Sequence, residues 1–339
     1  MRRLWVQVHL WLGLTLGTLG IFIGITGSIL VYDHEIDAWL NPQRYATSGS
    51  KVALGLDEYI GRVSQGRVVN LRLPEFEGGP IVAIARGAEG GQFHRVWIDP
   101  PTGKVLDSAP GGGFIGWVHR FHENLTLREY WGREAVGLVG FAMLISSFSG
   151  IYLWWPARGR FRQALGIRPG IGAVRNLHYM FGFYGSLVLA LLSFTGIWLA
   201  YPDAARSLLS ASPRGVQAPE SAKGQKPIAP AAAVSAAEAL YPGAKVTALG
   251  LPAGPRGAYR VNLHTGQAAV VVFLNPATAE VLRRSDAANS GDRFLAMQRD
   301  LHTGDAFGAG RVVLFIVGLL PAVFVVTGLL IWLRRRVPS

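Results

Sequence analysis

The chain has 339 residues, half of them hydrophobic and only 16% charged, with a net charge of +12. That balance excludes an ordinary soluble basic protein, and the charge calls for a membrane explanation before a nucleic-acid one. The absence of cysteine excludes disulfides, thiolate nucleophiles, cysteine-held iron–sulfur clusters and covalent haem on C-x-x-C-H, so any metal must be held by His, Met or carboxylates.

In chain order, "MRRLWVQVHLW" leads from two arginines into an apolar run near 10–32, long enough to cross a hydrocarbon core of roughly 30 Å. The run exceeds a signal-peptide core, and no small-x-small site precedes "VYDHEIDAW", so residues 1–32 are expected to be a retained anchor, transmembrane helix 1. His9 stands at its start, Gly13, Gly17 and Gly20 follow, and Thr26-Gly27 lies near its end. Residues 33–133 then carry a helix-like "LGLDEYIGRVSQ", the strands "LRLP" and "PIVAIAR", and a strand–turn–strand "IDPPTGKVL" over 98–106. This pattern predicts a small α+β module, a helix packed on an antiparallel sheet. It closes on "HRFHENL", with His119 and His122.

A second span is expected at 134–155, with Ser149-Gly150, and is followed by a loop, 156–177, that holds Arg158, Arg160, Arg162, Arg168 and Arg175 without an acid. The third span, 178–200, begins at His178 and includes Gly182, Gly185 and Thr195-Gly196. Residues 201–310 open with a Pro/Ala/Ser-rich linker, 211–233, expected to be mobile. "VSAAEALYP", "LGLP", "AYRVNLH" and "LNPATAEVL" (274–282) then predict a second module, which closes on "RDLHTG" with His302. The fourth span, 311–333, carries Thr327-Gly328 and ends in Arg334, Arg335 and Arg336.

These features recur. "LRLP" and "LGLP" stand 178 residues apart and the two strand–turn motifs 176 apart. His9 precedes Gly27 by 18 residues, as His178 precedes Gly196, while His122 and His302 precede Gly150 and Gly328 by 28 and 26. The expected fold is therefore an integral membrane α-helical protein. Four transmembrane helices form two tandem repeats, each with an extracytoplasmic α+β module, about a pseudo-two-fold axis along the membrane normal. The arginine-rich ends and loop are expected on the cytoplasmic side, and the acid-bearing segments 33–133 and 201–310 on the other.

A lone histidine at a helix end is usually an interfacial side chain, but four in two matched pairs point to a cofactor held between facing helices. Two imidazoles across a gap suit the axial positions of a b-type haem, which needs no cysteine. The helix glycines then either make room for a flat macrocycle or let helices pack closely, and the Ser/Thr-Gly pairs equally suit close packing. His119 is an alternative to His122, as ligand or in an H-x-x-H metal site, although its counterpart in the other half is Arg299. His34 reads as interfacial, and His94 and His264 as ordinary strand positions. Arg128, Arg133 and Arg175 stand where they pair with propionates or snorkel to the interface. Trp117, Trp131, Trp154, Trp155 and Trp198 read as interface belt residues.

The ordered set "HLWLGLTLGTLGIFIGITGSILVYDHEIDAWLNP", "DPPTGKVL" and "LHTG" resembles the PepSY-associated transmembrane family of bacterial inner-membrane proteins, over essentially the whole chain. Within that family the resemblance extends to the FoxB-like, haem-containing siderophore reductases. It implies periplasmic PepSY modules, cytoplasmic termini and two haems b per chain. His9 and His178 would hold a cytoplasmic-side haem, and His122 and His302 a periplasmic-side one. The implied activity is an oxidoreductase that reduces ferric siderophore at the periplasmic face for iron uptake, with a quinol or a cytoplasmic reductase as electron donor. The bilayer is the other partner, nucleic acid is not one, and no catalytic side chain is assigned. The alternative is a non-enzymatic PepSY membrane protein that binds a peptidase or assembly factor. A transporter or metal channel ranks third, because the helix middles offer little beyond Ser146, Ser147 and Ser193.

Overall fold

The computed structural model describes residues 1–87, 91–155, 162, 165–213, 215–220, 226–266, 269–285, 289–304 and 310–334. Arg158 and Arg160 of the basic loop, Arg335 and Arg336 of the C-terminus, and 214 and 221–225 of the linker lie outside the described residues.

The chain opens with α1 (Arg2–Leu14) and α2 (Leu16–Leu30), bent by 51° to one another, where one continuous helix over 10–32 was expected. Thr15 leaves helical geometry, and the hydroxyls of Thr15 and Thr18 donate to the carbonyls of Trp11 and Leu14 at 2.7 and 2.8 Å. Such back-bonding to the preceding turn bends helices. Next come α3 (Asp33–Leu40), a 3₁₀ turn (Pro42–Tyr45), α4 (Leu56–Gly61) and strands β1 (Arg67–Arg72), β2 (Ile81–Arg86), β3 (Phe93–Ile98) and β4 (Val105–Pro110). Then follow α5 (Gly113–Asn124), α6 (Gly132–Trp154), α7 (Ala173–Ala200), α8 (Pro202–Leu208) and α9 (Pro230–Leu240). The chain closes with β5 (Lys245–Gly250), β6 (Tyr259–His264), β7 (Ala269–Leu274), β8 (Val281–Ser285), α10 (Ser290–Thr303) and α11 (Arg311–Arg334). Helices α6, α7 and α11 are each long and apolar enough to cross a membrane, and α1 with α2 makes a fourth candidate if the bent pair is one crossing.

Two compact units result. One is helical (Met1–Asp33, Val118–Ala205, Phe294–Ser339) and the other is built on strands (His34–Trp117, Arg206–Arg293). In the helical unit α6 packs on α7 and α11 on α2. Gly24 and Gly318 let the backbones of α2 and α11 touch, and Ser28 ties the crossing by donating to the Phe315 carbonyl at 2.8 Å. Gly20 meets Met143, and Gly185 meets Leu320, within an apolar core that includes Val139, Leu189 and Val317.

In the strand unit all eight strands form one antiparallel sheet, in the order β4-β3-β2-β1-β5-β6-β7-β8. Alternate residues of each strand turn to one face. Tyr59 of α4 packs with Val68, Leu71, Ile81 and Val96, and Ala233 and Ala237 of α9 pack with Leu249, Val261, Leu263 and Val272. The two loop segments thus share a sheet, joined at β1–β5. There Leu71 pairs with Leu249, between Asn70↔Gly250 and Arg72↔Ala248. Leu73 N–H donates to the Thr247 carbonyl at 2.9 Å and Leu251 N–H to the Val69 carbonyl at 3.0 Å. Leu71 and Leu249 are 178 residues apart, the spacing of the two L-x-L-P motifs, and the same offset carries Leu73 onto Leu251 and Val69 onto Thr247, so it maps one flanking bond onto the other.

The described parts of the 211–233 linker are tethered, against the expectation of mobility. Gln217 bridges Gly257, Ala218 N–H donates to the Arg256 carbonyl at 2.9 Å, and Ile228 N–H donates to the Pro276 carbonyl at 2.7 Å. Backbone groups that find such partners near a sheet edge are held by it.

Candidate cofactor site: two histidine couples

The helical unit brings the four matched histidines together in twos. The rings of His9 (α1) and His178 (α7) have centres 6.3 Å apart, and those of His122 (α5) and His302 (α10) 6.2 Å apart. An imidazole nitrogen about 2.0–2.1 Å from a metal puts its ring centre about 3.2 Å away, so two rings gripping one ion from opposite sides stand about 6.3 Å apart. Both couples match that span.

The orientation of each ring is set at Nδ1. His9 Nδ1 lies 3.0 Å from Ser149 Oγ, and His178 Nδ1 lies 2.7 Å from Thr327 Oγ1. His122 Nδ1 lies 3.2 Å from Thr26 Oγ1 and 3.0 Å from the Ile23 carbonyl. His302 Nδ1 lies 3.0 Å from Thr195 Oγ1 and 3.1 Å from the Leu192 carbonyl. The hydroxyls of Thr26, Thr195 and Thr327 donate to carbonyls one turn back, at 2.7, 2.9 and 2.6 Å, and that of Ser149 to the Ser146 carbonyl at 3.1 Å. With their protons committed there, and since carbonyls only accept, Nδ1–H of each histidine is the donor. That tautomer leaves the Nε2 lone pair free to bind a metal, while the bond at Nδ1 holds the ring in orientation.

The same four Ser/Thr-Gly pairs supply space as well as acceptors. A Cβ on Gly27, Gly150 or Gly196 would stand 3.0, 3.1 and 3.1 Å from Cε1 of His122, His9 and His302, and one on Gly328 would stand 3.6 Å from Cε1 of His178. The pairs are therefore ring seats, a use that the reading of close helix packing missed. Each seat lies in the same half of the chain as its histidine, while each couple joins the two halves. The recurrence of the pair in all four spans was the signal that carried this.

Around His9 and His178 lies a cavity of about 370 Å³, within the usual range for a bound cofactor. Gly13, Gly17 and Gly182 line it, and a Cβ on Gly13 or Gly182 would meet nothing within 4 Å. Those two glycines open space, whereas Gly20 and Gly185 serve helix packing. Ser146, Ser147 and Ser186 add polar groups, and the buried Ser147 hydroxyl has no partner among the described residues. Arg2 reaches in from the chain start, its Nη2 donating to the Leu153 carbonyl at 3.0 Å. Trp154, expected at an interface, is instead buried, stacked on Phe183 at 4.0 Å and part of the cavity wall.

Burial lowers His122 and His302 to about 4. For His122 the Ile23 carbonyl opposes this shift and the neighbouring His119 adds to it, and for His302 the neighbouring His122 adds to it and the Leu192 carbonyl opposes it. Both imidazoles are thus neutral at neutral pH, as a metal ligand must be.

The other sequence candidates fall elsewhere. His119 faces Asp33, Nε2 to Oδ2 3.4 Å, while His122 faces His302. His34, in the strand unit, pairs with Glu75 at 3.3 Å, and His94 and His264 lie on β3 and β6. Arg128 is exposed, Arg133 donates to the Leu199 carbonyl at 2.9 Å, and Arg175 lies on the first turn of α7, where the cavity's lining cation is Arg2. Among the described residues no three His, Asp or Glu converge, so the imidazoles come as couples rather than as part of a hydrolytic metal cluster. The residues present fit a haem iron held between two imidazoles.

Fold and site together define a membrane protein of apolar helices that also builds an antiparallel sheet and pairs histidines within its helical unit. A family model described as the PepSY-associated TM region matches residues 6–335, and the chain belongs to that family. Among curated proteins none matches the chain.

Proposed function

We propose that the protein is a di-haem b electron-transfer protein of the bacterial inner membrane that reduces ferric siderophore at the periplasmic face and so releases iron. The observation that carries this reading is the pair of ring separations, 6.3 and 6.2 Å, each with Nδ1 engaged and Nε2 left for a metal. His9 with His178, and His122 with His302, would each hold one haem b, which supplies one-electron redox chemistry when bound. The seats on α2, α6, α7 and α11 keep the imidazoles oriented, and Gly13 and Gly182 leave room for the macrocycle. Two histidines that would each give the iron a ligand favour outer-sphere electron transfer over oxygen activation. Arg2 is the cation placed to meet a propionate.

Four membrane crossings in two tandem repeats, with both termini and the basic loop cytoplasmic, complete the proposal. The 178-residue symmetry of the β1–β5 junction and the equal 17-residue steps from His9 to Thr26 and from His178 to Thr195 support it. The electron comes from a quinol or a cytoplasmic reductase and converts Fe(III) in the chelate to Fe(II). Hard oxygen ligands hold the less charged ion more weakly.

The test is an absorption spectrum, before and after dithionite, of protein purified from haem-replete cells. A reducible b-type signal of two haems per chain is expected, and His9→Ala and His178→Ala should each remove the same one. The pre-reduced protein should then be reoxidised faster by a ferric siderophore from a panel than by buffer. A colourless preparation would reject the haem and favour a partner-binding role, and reoxidation no faster than in buffer would reject the reductase.

A further inference from the structure

The two ends of the sheet handle charge in opposite ways. At the β2–β3–β4 end, Trp97 pairs in register with Asp107, and the Arg44 guanidinium lies over the Trp97 ring at 4.1 Å. Arg44 is buried and bonded to Asp107 and Asp37, both at 2.6 Å. One cation thus meets two carboxylates.

At the β6–β7–β8 end the corresponding aromatic is Phe273, in register with Arg260 on one side and Arg283 on the other. These three share the face opposite the one that Tyr259, Val261 and Val272 turn to α9. The Arg283 guanidinium lies over the Phe273 ring at 5.1 Å, its Nη2 donates to the Pro213 carbonyl, and its buried Nε has no partner among the described residues. Arg206 donates to the Ser212 carbonyl and to Asp292 Oδ1, the latter at 3.1 Å. Asp292 also accepts from Ser212 N–H at 3.2 and 3.3 Å, so its charge is shared. Among the described residues no hydrogen bond or ion pair engages Arg260, whose side chain reaches solvent. Burial first, and then the charge of Arg206, lowers Arg260. Burial and Arg206 also lower Arg283, against the pull of Asp292. Arg206 is thus close enough to repel each of the other two, with Asp292 the one carboxylate paired to them among the described residues.

We propose that Arg206, Arg260 and Arg283 form a binding site for an oxyanion, a phosphate or carboxylate group, on the face of β6–β8 turned away from α9. Guanidinium forks match such groups bidentately, and a buried Nε without an acceptor marks where one oxygen docks. The proposal stands apart from the haem reading, since it uses none of the histidines.

The experiment uses the full chain in phosphatidylcholine nanodiscs, titrated calorimetrically with inorganic phosphate and with citrate. A parallel sample that includes phosphatidylglycerol is examined by native mass spectrometry for retained lipid. Saturable binding is expected, weakened about tenfold or more by Arg260→Gln and by Arg283→Gln but not by Arg299→Gln, which removes an exposed arginine elsewhere. Phosphate or citrate binding without retained lipid identifies a soluble anion. Phosphatidylglycerol that Arg260→Gln releases identifies a lipid headgroup. Should Arg283→Gln fail to fold, the exposed Arg260 still decides. Absence of both kinds of binding, or binding by Arg260→Gln equal to that of the parent, would overturn the proposal.

Discussion

His178 leans on one acceptor, the Thr327 hydroxyl at 2.7 Å, whereas His302 has both the Thr195 hydroxyl and the Leu192 carbonyl. Partners that bond the far nitrogen of a ligating histidine are worth about 10–100-fold in metal affinity. Thr327→Val should therefore weaken haem retention toward the upper end of that range and Thr195→Val by much less, measured by haem transfer to an apo-acceptor; equal losses would show that the seats do not differ. Asp99 offers a test away from the couples. Desolvation works to raise its carboxyl, but bonds from Thr102 and from the Ser48 hydroxyl and N–H outweigh this and hold it below the ordinary carboxylate range. A lowered folded value contributes stability above the unfolded value, near 3.9, and loses it as pH falls through the folded one. Asp99→Asn should therefore cost about 1.5–3 kcal/mol at neutral pH and progressively less below about pH 4, read from denaturation midpoints. At this scale the histidines were legible because their spacing recurs. Their seats were not, because Ser149 lies 140 residues beyond His9 and no local period joins them. Glycine is equally ambiguous: Gly13 and Gly20 look alike in sequence, yet one opens a cavity and the other takes Met143.

Among the elements, the strands announced themselves through alternation and turn residues, and the L-x-L-P recurrence marked β1 and β5 as equivalent. That these two pair with each other was hidden, since an edge strand carries the same pattern whichever neighbour it finds. Leu71 and Leu249, both fully buried at the centre of that junction, carry matching loads. Replacing either with Ala should cost about 2–5 kcal/mol, and the two losses should agree closely in chemical denaturation of the full chain. A loss at one site alone would mean that the junction is not the symmetric contact described. The bend at Thr15 was also missed, because apolar content averaged along the span does not register two hydroxyls bonding back to the helix.

For the molecule as a whole, the basic segments forecast an orientation but not how the chain is divided. Three stretches combine into the helical unit and two into the strand unit, so neither matches a continuous piece of sequence. Composition marked the loop segments 33–133 and 201–310, near the two stretches of the strand unit, but not that they share one sheet. The absence of cysteine makes the orientation easy to test. In spheroplasts, Lys51→Cys should react with a membrane-impermeant maleimide and Arg334→Cys should react only after lysis. The reverse pattern would invert the proposed topology.

Helix α7 runs unbroken for 28 residues and carries both His178 and, seventeen positions on, the seat of His302, about 25 Å along its axis. His9 and the seat of His122 are separated by the same count, but across the 51° bend between α1 and α2. The molecule therefore sets a strut beside a knee. The gap between the two couples is gauged by the strut, and one extra residue there would swing one end by about 100° and unseat a ring without disturbing its distant counterpart.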